Sequence, residues 1–157
     1  MSEINEQIWV GSYGDSCNEA FLSERRITHI LSCADEFSFP VSTRLTFYKV
    51  AIVDDVADEK TKDLFLEGAA KINEWLSQND NEKDERRIIV HCFAGMSRSV
   101  SVVITYFMVY KGWSFHIALN HLKLRRRQTK IHPDFIPILK EIELGLELNR
   151  ALTNPPR

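Results

Sequence analysis

Cys92 and Arg98 stand with five residues between them in the stretch His91-Cys92-Phe93-Ala94-Gly95-Met96-Ser97-Arg98-Ser99. Residues 88–91 before it are a short apolar run that reads as a strand, and the chain is expected to turn helical near Ser97 or Arg98, with Ser97 able to cap the helix. A loop containing Ala94 and Gly95 between the two can turn successive backbone N–H groups inward as an anion nest. The helix N-terminus adds partial positive charge and more free N–H groups. Arg98 adds a planar fork that matches two phosphate oxygens. Phe93, Ala94, Gly95, Met96, Ser97 and Arg98 are therefore expected to bind a tetrahedral dianion. A thiol in that field is ionised near neutrality. As a thiolate beneath a bound phosphate, Cys92 can attack phosphorus in line and form a cysteinyl-phosphate. A lone cysteine would read as a core thiol and a lone arginine as a surface cation; the pair at a strand–loop–helix junction reads as a site. The motif alone also fits phosphate binding without catalysis.

Cleaving a phosphate ester of Ser or Thr requires a proton for the leaving oxygen. A carboxylic acid on a facing loop can supply it and then activate water. Asp54, Asp55 and Asp58 are the candidates, against the plainer reading of turn-forming residues in water.

These residues need a scaffold. Residues 8–10, 27–33, 45–53 and 88–91 read as strands from their β-branched and apolar content. Residues 18–26 read as a short helix. Residues 60–76 carry apolar side chains at 64, 65, 69, 72, 75 and 76, the spacing of a helix with one buried face. Residues 100–110 are apolar nearly all round, which predicts a buried central helix ended by Gly112, with Tyr106, Phe107, Met108 and Tyr110 in the core. Residues 114–127 form a helix capped by Ser114, and Pro133 opens a last helix to about residue 150, with Pro137 in its first turn. Residues 38–40 and the charged run 78–87 read as loops. The fold class is α/β: a central, mostly parallel sheet of about five strands flanked by helices. One domain over residues 1–150 is expected, with 151–157 as a disordered tail.

Composition narrows the partners. The chain has 157 residues, 44% hydrophobic and 27% charged, with 20 Lys and Arg against 22 Asp and Glu. That balance predicts no general attraction to nucleic acid or to anionic membranes. Three cysteines, Cys17, Cys33 and Cys92, are a poor disulfide framework. The polar start of the chain lacks the apolar core of a signal peptide, and no apolar stretch is long enough to span a bilayer. A reducing compartment is expected, cytoplasmic or nuclear. No cofactor or metal is called for. The oligomeric state is not readable. Lys123, Arg125, Arg126, Arg127 and Lys130 form a basic cluster with two readings: favourable charge at a helix C-terminus, or a second anion site.

The stretch from His91 to Ser99 resembles the signature loop of the dual-specificity protein phosphatases, in the protein tyrosine phosphatase superfamily. Ile8-Trp9-Val10-Gly11-Ser12 and Arg26-Ile27-Thr28-His29-Ile30-Leu31 resemble that family's first two strands. The helix from Ala118 to Arg126 and Pro133-Asp134-Phe135 resemble its C-terminal elements. Asp134 stands where the family commonly has Asn, and the loop between Trp75 and Arg87 is longer than usual. The resemblance implies a protein phosphatase acting on phosphotyrosine and on phosphoserine or phosphothreonine, with phosphoproteins as partners. By the same resemblance the acid follows a strand and precedes a helix with an aromatic and a Glu; counting back from Phe65 and Glu67 selects Asp55, with Asp54 as the alternative. It also implies that Ser99 assists breakdown of the phospho-enzyme by hydrogen bonding the departing sulfur. His91 is expected to orient the loop and tune Cys92, a role close to that of a core histidine.

Ser32-Cys33-Ala34-Asp35-Glu36 resembles a segment of some lipid-directed relatives that holds a second thiol near the nucleophile. Cys33 is thus either a buried small hydrophobe or a redox partner of Cys92. Two other functions compete: a phosphatase for a phosphoinositide or an RNA 5′ phosphate, and a non-catalytic phospho-binding module. Phosphoinositide-directed relatives often carry Lys or Arg inside the loop, and Phe93–Ser97 contains none. Non-catalytic relatives lose the Cys or the acid, and both are present.

Overall fold

Side-chain alternation along short parallel strands sets the two faces of the sheet. In the computed structural model, which describes residues 1–38, 44–78 and 85–153, the strands are β1 (Ser2–Glu3), β2 (Ile8–Gly11), β3 (His29–Ser32), β4 (Thr46–Lys49) and β5 (Ile88–His91). They form one sheet in the order β1-β2-β5-β3-β4. β1 runs antiparallel to β2, and the pairs β2–β5, β5–β3 and β3–β4 are parallel. Ile8, Val10, Leu31, Ile88 and Val90 point into the larger core, while Trp9, Ile30 and Ile89 point into a smaller one.

The helices are α1 (Tyr13–Ser16), α2 (Glu19–Glu24), α3 (Thr61–Ser77), α4 (Arg98–Lys111), α5 (Phe115–Arg125) and α6 (Phe135–Thr153). Leu22 of α2 belongs to the small core with Trp9 and Ile89. α3, α4, α5 and α6 build the large one, with α4 in contact with the other three. Every residue of α4 from Arg98 to Met108 is buried, as an apolar helix at the centre of a domain must be. α3 crosses it closely at Gly68, where a Cβ would stand 2.7 Å from Val102 Cγ1. Gly112 ends α4 in the left-handed region at φ 72°.

Several expectations are corrected. The predicted strands 27–33 and 45–53 shrink to four residues each, because the β3–β4 ladder closes where Val50 N–H donates to Ser32 O and the chain then turns back, Ile52 N–H donating to Val50 O. Ser97 makes no side-chain cap for α4; its Oγ accepts from His132 N–H instead. α5 ends at Arg125, two residues early, because Arg126 is extended. Tyr110 is 39% exposed rather than core. α6 runs on to Thr153, so residues 151–153 are helical and not a disordered tail. β1 and α1 were not expected, although Ser12 and Asp15 form a capping box at α1. Phe39, Pro40, residues 79–84 and the tail 154–157 lie outside the described residues.

Candidate active site

β5 ends at His91 and delivers Cys92 to the C-terminal edge of the parallel sheet, where such folds place their ligands. The loop that follows is decided by where its carbonyls go. Cys92 O accepts from His91 Nδ1 at 3.2 Å, and Phe93 O from Tyr13 N–H at 2.9 Å. Ala94 O and Gly95 O accept from the Arg126 guanidinium, through Nη2 at 3.2 Å and Nε at 2.7 Å. Met96 O accepts from Lys130 N–H at 3.0 Å, and Ser97 O from Ser101 N–H at 2.8 Å. All these peptides are trans, so a carbonyl turned outward sends the next N–H inward. Among the described residues, no acceptor pairs with the N–H groups of Phe93, Ala94, Gly95, Met96 or Ser97. The result is a ring of inward donors at the N-terminus of α4.

Gly95 makes the ring close. Its φ is 69°, and a Cβ there would lie 2.5 Å from Gly11 O, so no side chain fits.

Arg98, in the first turn of α4, is 1% exposed. Its Nη1 and Nη2 donate to Glu36 Oε2 and Oε1 at 2.6 and 2.7 Å, Nη1 also donates to Ile52 O at 3.1 Å, and Nε lies 3.5 Å from Asp54 Oδ1. Burial opposes its charge most strongly, but the Glu36 hydrogen bonds and the charges of Cys92, Asp54 and Glu36 outweigh that and hold the guanidinium protonated beyond its ordinary range. Ser99 is fully buried, with Oγ 3.3 Å from Cys92 Sγ. His91 is 2% exposed, and burial above all depresses its pKa below the usual imidazole value, so it is neutral at pH 7. Its Nδ1 reaches the Cys92 carbonyl.

A cavity of about 420 Å³ opens over Cys92 and Arg98. Asp54 and Asp55 line it on one side, and Lys130, Ile131, His132 and Pro133 on another. The structure separates the three candidate acids. Asp58 lies outside the cavity, its Oδ1 accepting from Lys60 N–H at the start of α3. Asp54 leans on Arg98. Asp55, at φ 56°, lies with Oδ1 3.5 Å from His132 Nε2. Asp134 N–H donates to His132 Nδ1 at 3.2 Å, which leaves the Nε2–H tautomer facing Asp55.

Cys33 follows β3 as Cys92 follows β5. Ser32 pairs with His91 in register, and Cys33 N–H donates to His91 O at 2.7 Å. The two thiols therefore leave adjacent strands side by side. Both are free and buried. Burial pushes the Cys33 thiol well up, with Cys92 adding to it and Arg98 opposing.

The basic cluster divides. Lys123, Arg125 and Arg127 are exposed, Lys130 lines the cavity, and Arg126 is 4% exposed and clasps the loop. Arg126, Glu36 and His132 are site residues that no local signal reveals, since their partners lie 31, 62 and 77 positions away (132 − 55 for His132 and Asp55). Among the described residues, no three His, Cys, Asp or Glu side chains group as a metal site would need.

A thiol at the base of a ring of amides, beside a buried guanidinium on a parallel sheet, is the arrangement of cysteine-dependent phosphatases. Residues 8–144 match the family model described as dual specificity phosphatase, catalytic domain, and the chain belongs to that family. It is 32% identical over 149 residues to dual specificity protein phosphatase 1B of Arabidopsis thaliana, covering 95% of this chain and 85% of that protein. With dual specificity protein phosphatase 1 of the same plant it shares 30% identity, covering 94% and 71%. The crystal structure of DUSP15 superposes with a TM-score of 0.77 at 25% identity, over 100% of this chain and 97% of that one. The chain is a phosphatase.

Proposed function

We propose that the chain hydrolyses phosphotyrosine and phosphoserine or phosphothreonine in proteins through a cysteinyl-phosphate on Cys92. The observation that carries this reading is the carbonyl pattern: the carbonyls from Cys92 to Ser97 are all engaged outside the ring, and the N–H groups of Phe93–Ser97 are left for a tetrahedral anion. Arg98 adds two parallel donors. Cys92 Sγ attacks phosphorus as the P–O bond to the substrate oxygen breaks, and Asp55 gives that oxygen a proton. Water then attacks phosphorus with Asp55 taking its proton, the S–P bond breaks, and the Ser99 hydroxyl donates to the leaving sulfur. Preorganised donors aimed at developing charge do most of such work.

Phosphoprotein substrates are supported by family membership and by a loop with no cation between Cys92 and Arg98. A phosphoinositide would call for more cations inside the loop. A purely binding role is disfavoured by a complete set of Cys92, Arg98, Asp55 and Ser99. The free thiols fit a cytoplasmic or nuclear location; among the described residues no helix is long and apolar enough to cross a membrane.

The test is a panel of phosphopeptides, phosphoinositides and 5′-phosphorylated RNA, with Cys92→Ser and Arg98→Lys alongside. Wild type should favour the phosphopeptides. Cys92→Ser should bind but not turn over, and Arg98→Lys should be severely impaired, because an ammonium cannot make the two-point contact. Near wild-type hydrolysis by Cys92→Ser would remove the nucleophile assignment.

A further inference from the structure

The two shortest hydrogen bonds made by Arg98 go to Glu36, on the loop after β3. A guanidinium carries five N–H bonds. Both on Nη1 are used, by Glu36 Oε2 and Ile52 O, and one on Nη2 is used by Glu36 Oε1. What remains without a hydrogen bond is the side edge, Nε–H and the second Nη2–H, which Asp54 Oδ1 approaches to 3.5 Å at Nε. These two are parallel and spaced for two oxygens of one tetrahedral anion. Glu36 therefore holds the end of the fork that a phosphate bound side-on does not need.

We infer that Glu36 is a positioning residue: it locks the Arg98 guanidinium by its end-on edge, aims the side edge at the phosphoryl group, and stays paired while substrate is bound. The inference rests on the reading of Arg98 as the phosphate clamp. Two physical reasons support it. A buried guanidinium without a counter-charge is costly, and Glu36 supplies that charge to a side chain that is 2% exposed. A guanidinium already held in one orientation also loses little freedom when the anion arrives.

Glu36 is itself presented by a braced loop. The next residue, Phe37, stacks on Tyr13 at 3.9 Å between ring centroids, and its ring lies 6.2 Å from Phe93 and 6.3 Å from His91. On the other side Lys49 Nζ donates to Asp35 O at 2.7 Å. The Arg98 hydrogen bonds keep the Glu36 carboxyl below the ordinary carboxylate range, so the pair is ionic at neutral pH.

The test compares wild type, Glu36→Gln, Glu36→Ala, Glu36→Asp and Arg98→Lys. The readouts are p-nitrophenyl phosphate hydrolysis, inhibition by orthovanadate and thermal melting. Glu36→Gln keeps the shape but loses the charge and turns one N–H against another. It should lower kcat/KM and vanadate affinity together, by about 10–100-fold, the scale of a displaced positioning contact. Its Tm should also fall, because the buried guanidinium loses its counter-charge; a residue that only braced the loop would move Tm and leave vanadate affinity unchanged. Glu36→Asp should recover part of the loss. If Glu36→Ala does not fold, the near-isosteric Gln variant carries the same readout. Glu36→Gln binding vanadate as tightly as wild type or tighter, with equal or higher kcat/KM, would overturn the inference and make Glu36 a competitor of the substrate. A wild-type enzyme that neither hydrolyses the ester nor binds vanadate would instead remove the phosphatase reading and this inference with it.

Discussion

The Ser99 hydroxyl sits 3.3 Å from the Cys92 sulfur, seven positions along the chain and in the first turn of the buried helix α4. At that distance it can donate to the sulfur as the S–P bond breaks and charge develops there. Ser99→Ala should therefore slow breakdown of the phospho-enzyme more than its formation. A hydrogen bond to a charged group is worth about 1.5–3 kcal/mol, or roughly 10–100-fold in kcat. Rapid-mixing kinetics with p-nitrophenyl phosphate should show a burst of product followed by a slow steady state. A variant with unchanged kcat and no burst would exclude this role.

Asp55 and Asp54 are told apart by their partners. Asp54 stands against Nε of Arg98, while Asp55 faces His132 across the cavity. Asp55→Asn should cost about 10²–10⁴-fold on phosphothreonine peptides, the usual range for a positioned proton donor. It should cost less on activated aryl phosphates, whose leaving groups need less protonation. Its pH–rate profile should also lose the limb that reports the acid. Asp54→Asn should change turnover little. The reverse ranking would move the acid by one residue.

Cys33 and Cys92 continue two hydrogen-bonded parallel strands. Neighbouring strands run about 4.8 Å apart, inside the roughly 7 Å that a disulfide can span. Peroxide should convert Cys92 to a sulfenic acid; the Cys33 sulfur then attacks the Cys92 sulfur, the S–O bond breaks, and the hydroxyl leaves as water with the Cys33 proton, giving a disulfide. Mass spectrometry of unreduced peptides should find the Cys33–Cys92 link, and dithiothreitol should restore activity. Cys33→Ser should be inactivated irreversibly. Reversible inactivation without the linked peptide would rule the pairing out.

His29 offers a prediction about stability rather than turnover. Its ring lies on β3 against Trp75, 4.7 Å between centroids, with Nδ1 2.7 Å from Thr28 Oγ1. Burial, and then the charge of Arg86, lower its pKa from 6.5 to about 4. The unfolded chain therefore binds more protons between those values, and stability falls as pH drops through that window. By pH 5 the loss should be on the order of 2 kcal/mol. Urea unfolding at pH 7 and pH 5 should reveal it, and His29→Gln should flatten the dependence. An equal pH slope in the variant would assign the effect to other groups.

Much of this molecule is legible in order along the chain. The strand at residues 88–91, the buried helix that begins at Arg98, the Ser114 cap and the Gly112 stop are local events. Periodicity, capping chemistry and backbone freedom act within a few residues of each other, so sequence spacing alone determined them. The same holds for Cys92, Arg98 and Ser99, which share one strand–loop–helix junction. What only the tertiary structure decided is which distant groups reach that junction. Sheet order sets β3 beside β5, and that brings Cys33 to Cys92 and carries Glu36 to Arg98 across 62 positions. The end of α5 turns Arg126 inward to hold two loop carbonyls, though by sequence it is one cation among five near a helix end. Residues Glu36, Arg126 and His132 look like surface polar groups until strand pairing and helix packing bring them to their partners, through long-range contacts that no local spacing encodes.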